Sequence, residues 1–165
     1  MRLASVEAVA RALNDGGVPF IVVGGLAVVA HGYGRQTADI DFVVRLDPAT
    51  IQAMFHALEA LGYRPRVPVN ATGFADPVRR RWISEKGMQV LNFHSDAHRD
   101  TPVDIFVSEP FDFGTEFQLA LVQEIAPGVP MRIVQLETLL RMKADVGRPQ
   151  DIADIAELRL IHEEG

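Results

Sequence analysis

The sequence reads as an α/β (α+β) protein, a mixed β-sheet flanked by helices with two helices at the C-terminal end. Three observations carry this: apolar runs of strand length, apolar residues at helical spacing between them, and Gly or Pro at most junctions. Val6, Val9, Ala10 and Leu13 recur at helical spacing, and Asn14-Asp15-Gly16-Gly17 ends that helix with residues tolerant of left-handed backbone. Phe20 to Val23 is an unbroken apolar run, the pattern of a strand covered on both faces. Gly24-Gly25 turns the chain into a helix from Leu26 to His31, stopped by Gly32 and Gly34. Ile40 to Val44 is a second buried strand, and Pro48 opens a helix through Leu61, closed by Gly62.

The middle of the chain predicts shorter strands, Tyr63 to Val69 and Arg81 to Phe93, separated by turns at Gly73, Asp76-Pro77 and Lys86-Gly87. Val103 to Val107 is an apolar strand interrupted by Asp104, and Met131 to Val134 is a last strand. Helices follow over Leu136 to Val146 and Pro149 to Glu163, split by Gly147-Arg148-Pro149.

The length of 165 residues suits one domain spanning 1–165, and no repeat or linker divides it. Sixteen basic and 22 acidic residues leave a net charge of −6, which argues against indiscriminate coating of nucleic acid. With no cysteine, disulfide scaffolds, thiolate metal sites and cysteine nucleophiles are excluded. The first residues lack the apolar core of a signal peptide and no apolar run reaches membrane length, so a cytoplasmic protein with no membrane partner is expected.

The chemistry concentrates in two stretches. Side chains in a strand alternate faces, so Asp39 and Asp41 project the same way. Neighbouring carboxylates repel unless a cation lies between them, and hard oxygen ligands on a rigid strand suit magnesium. The plainer alternative is that Asp39 caps the strand and Asp41 marks a solvent face. A strand, Gly24-Gly25 and a helix in succession present free backbone N–H groups to a phosphate, or simply make a tight connection. Asp104 is a lone carboxylate in an apolar strand, costly unless neutralised by a metal or paired with an arginine.

Gly24-Gly25, Arg35-x-Thr37-x-Asp39-x-Asp41 and the later Asp104 together resemble the nucleotidyltransferase superfamily related to DNA polymerase β. More narrowly they resemble its small prokaryotic branch that includes the AbiEii-type toxins, and the C-terminal helices bearing Lys143 and Asp151 are similar to those seen there. The resemblance implies a nucleotidyltransferase-like fold that moves a nucleotidyl group from a nucleoside triphosphate to a hydroxyl acceptor on RNA, protein or a small molecule. It implies Mg²⁺, or Mn²⁺, held by Asp39, Asp41 and Asp104, with Asp104 as base for the acceptor hydroxyl. Gly24, Gly25, Arg35, Thr37 and Lys143 would meet the nucleotide, and a cognate antitoxin would be a partner. One departure stands out: Gly25 occupies the place where many members have serine, so a hydroxyl contact to phosphate is missing.

Other residues carry plainer readings. Lys143 taken alone is a solvated helix lysine, and Asp151 complements the positive end of its helix, with Asp151 and Asp154 also placed to pair Arg148. Arg35 and Thr37 could cap their loop. Arg79-Arg80-Arg81 is the one basic cluster, a solvated face or an acceptor contact. His94-Ser95-Asp96-Ala97-His98 is expected in a flexible loop, with a transition-metal site as the rival reading. His31 complements a helix C-terminus or lies near the phosphates. No Ser-His-Asp or Walker-type signature is present. The rival class for the whole chain is a non-catalytic nucleotide-binding or partner-binding module that keeps the fold.

Overall fold

The fold is a seven-stranded mixed sheet with helices on both faces, and a computed structural model describes residues 1–163. The elements in chain order are α1 (Leu3–Asp15), β1 (Phe20–Val23), α2 (Gly24–Ala30), β2 (Ile40–Val44) and α3 (Pro48–Ala60). Next come β3 (Arg64–Pro65), α4 (Ala71–Ala75), α5 (Pro77–Glu85), β4 (Val90–His94) and β5 (Val103–Phe106). The chain ends with α6 (Phe113–Leu119), β6 (Leu121–Ala126), β7 (Val129–Ile133), α7 (Leu136–Val146) and α8 (Pro149–Glu163).

The strands lie in the order β3-β4-β5-β2-β1-β7-β6. β2 pairs antiparallel with β1 and parallel with β5, which places the two carboxylate-bearing strands side by side at the centre. Cross-strand partners share a face. Ile40, Phe42, Val103, Ile105, Leu91 and Phe93 therefore form one apolar face, fully buried. α3 packs there, with the Phe55 and Phe93 rings edge to face at 5.3 Å. The opposite face carries the polar row described below. No helix among the described residues is long and apolar enough to cross a membrane.

The junctions follow backbone chemistry. Asp47 accepts from Thr50 N ahead of Pro48, a capped start with proline at the first helical position. Gly147, with φ of +67°, closes α7 in the left-handed conformation, and Pro149 opens α8.

Three sequence expectations are corrected. The strand over Tyr63 to Val69 shrinks to Arg64–Pro65 at the sheet edge. The turns at Gly73 and Asp76-Pro77, with the first half of Arg81 to Phe93, are helices, and only Val90–His94 is strand. Asn70 and Asp76 cap α4 and α5 through Gly73 N and Val78 N, so the Asp-Pro pair is a helix start. The segment His94 to His98 is not a loose loop: Ser95 Oγ donates to Leu61 O, His98 Nδ1 bonds Ser5 Oγ, and Tyr63 stacks on His98. The strand expected over Met131 to Val134 is β7, whereas its hairpin partner β6 and the preceding α6 had no assignment from sequence; β6 is an exposed edge strand without an alternating apolar face.

Candidate active site

β2 starts at Ile40, which leaves Asp39 at its mouth and Asp41 one residue inside. Asp41 stands opposite Val23 of β1 and Asp104 of β5, and Asp104 stands opposite Asn92 of β4. Asp41, Asp104 and Asn92 thus form a row on the face away from α3. The carboxyl groups of Asp39 and Asp41 both come within hydrogen-bonding reach of Asp104. All three aspartates line one cavity of about 500 Å³, together with Gly24, Lys143, Arg148 and Asp151. Val90, Phe106, Pro110, Leu139, Met142 and Val146 form its apolar wall.

The electrostatics of the row follow from crowding. Burial, then repulsion from Asp104 and a hydrogen bond shared with it, push Asp41 up to about 8. Burial and Asp104 likewise raise Asp39 above its ordinary value, with Arg66 pulling weakly the other way. No preassembled cage of three metal-ligating side chains occurs among the described residues; Asp39 and Asp41 each crowd against Asp104. Asn92 Nδ2 donates to Asp104 Oδ1 at 2.5 Å, and Asn92 Oδ1 accepts from Arg66 Nε. Asn92 escaped the sequence reading; its signal is a polar residue at the alternate position between Leu91 and Phe93.

The Gly24-Gly25 turn is shaped by its neighbours. Gly24 has φ of +66°, and a β-carbon on it would fall 2.0 Å from Asp41 Oδ2. Glycine is therefore required there both by the backbone and by the close approach of the carboxylate. The turn opens directly into α2, and no side chain caps its first amides.

Lys143 is not a solvated lysine. It is 7% exposed, with Nζ at 3.2 Å from Asp151 Oδ1 and 2.8 Å from Asp154 Oδ2. Asp151 is buried, and Arg148 Nε reaches its other oxygen at 2.8 Å, so more than helix-dipole complementarity holds it. Burial alone would raise Asp151 and Asp154. Hydrogen bonds from Arg148 and Lys143 to the first, and from Arg35, Lys143 and Gln150 to the second, outweigh it and hold both below the usual carboxylate range.

Arg35 reaches Asp154 with Nε at 2.7 Å and Nη2 at 2.8 Å, and its Nη1 bonds Gln36 O. Its guanidinium ties the loop before β2 to α8 while standing beside the glycine turn. Thr37 packs against Gly25. His31 lies away from this chemistry, with Nε2 on Val134 O at 2.7 Å. In the basic cluster, Arg80 turns inward to Phe74 O while Arg79 and Arg81 are exposed.

No curated protein matches the chain. Solved structures do, at identities that show the fold alone. The solution structure of ANT(2'')-Ia, an antibiotic-resistance factor, matches with a TM-score of 0.61 and 16% identity over 96% of this chain and 82% of that one. Its crystal structure with adenylyl-2''-tobramycin matches at 0.56 and 13%, over 96% and 87%. A nucleotidyltransferase structure from Thermotoga maritima matches at 0.57 and 14%, over 99% and 93%. The sheet and helices described above are thus a nucleotidyltransferase fold. Residues 1–164 match the DUF6036 family, described as a nucleotidyltransferase of unknown function, and the chain belongs to that family.

Proposed function

We propose that the chain is a metal-dependent enzyme that transfers a nucleotidyl group from a nucleoside triphosphate to a hydroxyl acceptor. The observation that carries this reading is the convergence of Asp39, Asp41 and Asp104 in one cavity, beside an uncapped Gly24-Gly25 turn. The donor set fits a hard divalent cation: three carboxyl groups, oxygen only, with Asp39 and Asp41 disfavoured as anions by burial and by Asp104 beside them. Mg²⁺, or Mn²⁺, held by these three aspartates would supply charge neutralisation at the phosphoryl group being transferred.

The chain's own residues would do the rest. The amides at the Gly24-Gly25 turn, which no side chain caps, would meet the β- and γ-phosphates. Lys143 and Arg35 add positive charge behind them without leaving Asp154. Asp104, oriented by Asn92, takes the proton of the acceptor hydroxyl. The acceptor oxygen then bonds to the α-phosphorus, the bond from that phosphorus to the bridging oxygen breaks, and pyrophosphate leaves. The apolar wall of Val90, Phe106, Met142 and Val146 would receive the acceptor or the base.

The acceptor is a hydroxyl on RNA, protein or a small molecule. The ANT(2'')-Ia complex contains an adenylylated small molecule, which supports the last of these for this fold. The narrower reading, a toxin of the AbiEii-type branch with a cognate antitoxin, rests on the sequence resemblance. Growth arrest on expression, lost in Asp41→Ala, would support it, and harmless expression would count against it. The enzymatic reading is tested by transfer of labelled nucleotide with Mg²⁺. Wild type should label an acceptor and Asp41→Ala should not; equal labelling in both removes the assignment, and triphosphate binding without turnover would favour the non-catalytic module.

A further inference from the structure

The two edges of the sheet are built differently. β3 at one edge is two residues long and includes Pro65, which blunts it against further pairing. β6 at the other edge runs for six residues, and Glu124 is its only charged side chain. Leu121 and Val122 of β6, and Leu119 just before it, are 45%, 58% and 53% exposed. A long free edge of this kind is a template for another strand.

The backbone groups on that edge follow from the ladder behind it. Pro130 O of β7 accepts from Asn14 Nδ2, and Val134 N donates to Val22 O of β1. Pro130, Arg132 and Val134 therefore turn their peptide groups away from β6. Val122 stands opposite Arg132 and Glu124 opposite Pro130, so these are non-hydrogen-bonded pairs. The N–H and C=O of Val122 and Glu124 point outward, and no bond to them occurs among the described residues.

The nearby charges identify the occupant. Val122, Glu124 and Arg132 share one face of the sheet, and among the described residues neither Glu124 nor Arg132 has an ion-pair partner. Arg132 is held on that face by Phe117, with its guanidinium 4.0 Å over the ring and Nη1 donating to Phe117 O. We infer that β6 pairs antiparallel with β6 of a second copy of this chain, about a two-fold axis at Gln123. Val122 then faces the partner's Glu124, the two exchange both backbone bonds, and the same pair repeats by symmetry. Every outward group of Val122 and Glu124 is used. Each Glu124 also falls in one row with the partner's Val122 and the partner's Arg132, which is two strand spacings away, about 10 Å between backbones. Two long side chains of opposite charge span that gap. Centring the axis on Glu124 instead would set the two carboxylates against each other. The Gln123 side chains meet across the axis, where each amide can donate to and accept from its copy. A bulge between Glu124 and Ala126 ends the regular stretch, so the pairing is short and the association reversible.

The test is sedimentation of the purified chain from about 1 μM to about 1 mM, with melting temperatures recorded at the dilute end. Wild type should pass from monomer to dimer. Val122→Pro removes an outward N–H at an edge position and should leave a monomer that melts as wild type. Glu124→Lys should weaken association about tenfold or more, because it faces the partner's Arg132 with like charge. The chain has no cysteine, so Gln123→Cys and Val122→Cys are clean cross-linking probes. Under mild oxidation the first should give a disulfide-linked dimer, since directly opposed residues lie at bridging distance, and the second should not. A monomer at every concentration overturns the inference. So does a dimer untouched by Val122→Pro and Glu124→Lys, and preferred linking through residue 122 overturns the pairing about Gln123. If Val122→Pro melts lower, the lysine and cysteine arms decide.

Discussion

Two neighbouring sets of aspartates, one on the central strands and one on α8, have opposite fates. Asp39, Asp41 and Asp104 on the central strands are crowded against one another, and the first two are pushed upward, Asp41 to about 8. Asp151 and Asp154 on α8 are at least as buried, yet both are held low by Lys143, Arg148 and Arg35. The difference lies in partners, not in burial. A carboxylate given cations within hydrogen-bonding distance braces the structure, whereas carboxylates crowded together with no cation in contact hold charge in reserve for something that binds. The C-terminal cluster reads as the brace and the strand cluster as the working site.

The sharpest way to break this contrast is to neutralise one member of each set. Asp41→Asn should lower nucleotidyl transfer about a thousandfold, while the melting temperature without divalent cation stays level or rises because repulsion is relieved. A large loss of stability would show that Asp41 is structural. Asp154→Ala should do the reverse. It leaves half-buried Arg35 without its carboxylate and buried Lys143 with Asp151 alone, so chemical denaturation should show a loss of about 3 kcal/mol.

pH separates the sets without mutation. Asp41 in the folded state keeps a proton that the unfolded chain releases near 3.8, so its contribution to stability is fullest at acid pH and is lost as pH rises toward 8. Asp151 and Asp154 work the other way, contributing above the ordinary carboxylate value and losing that contribution only as pH falls below it. Between about pH 5 and 8 the melting temperature without divalent cation should therefore decline, and Mg²⁺ should flatten the decline. A flat profile in both conditions would contradict the account of the strand cluster. The smallest effect expected is at Asn92, which touches Asp104 alone among the three aspartates. Asn92→Ala should lower kcat about tenfold with little change in KM for the triphosphate, as measured by steady-state transfer.

Much of this contrast was visible beforehand, and the limits have physical causes. Asp39, Asp41 and the Gly24-Gly25 turn are local: strand alternation and glycine between strand and helix place them without tertiary information. The buried strands at Phe20 to Val23 and Ile40 to Val44 were legible because central strands are apolar on both faces. The segment from Ala71 to Glu85 was misread as turns and strand because its helices are short, exposed and poor in apolar periodicity, with Val78 and Trp82 facing solvent. The Asp76-Pro77 helix start was available there and was outweighed by its look of a turn.

What the sequence alone determined is which strands are central, that Asp39 and Asp41 share a face, and that glycines stand where the chain must turn closely. Only the tertiary structure decided the partners. Asp104 reaches Asp41 because β5 lies parallel to β2 in one register, and a shift of one residue would turn Asp104 to the other face. Lys143 became buried, and Gly25 came to lie against Thr37, through contacts between one element and the next rather than within one helix or strand. Such contacts depend on distance in space, and residue spacing along a chain carries that information only within single helices and strands.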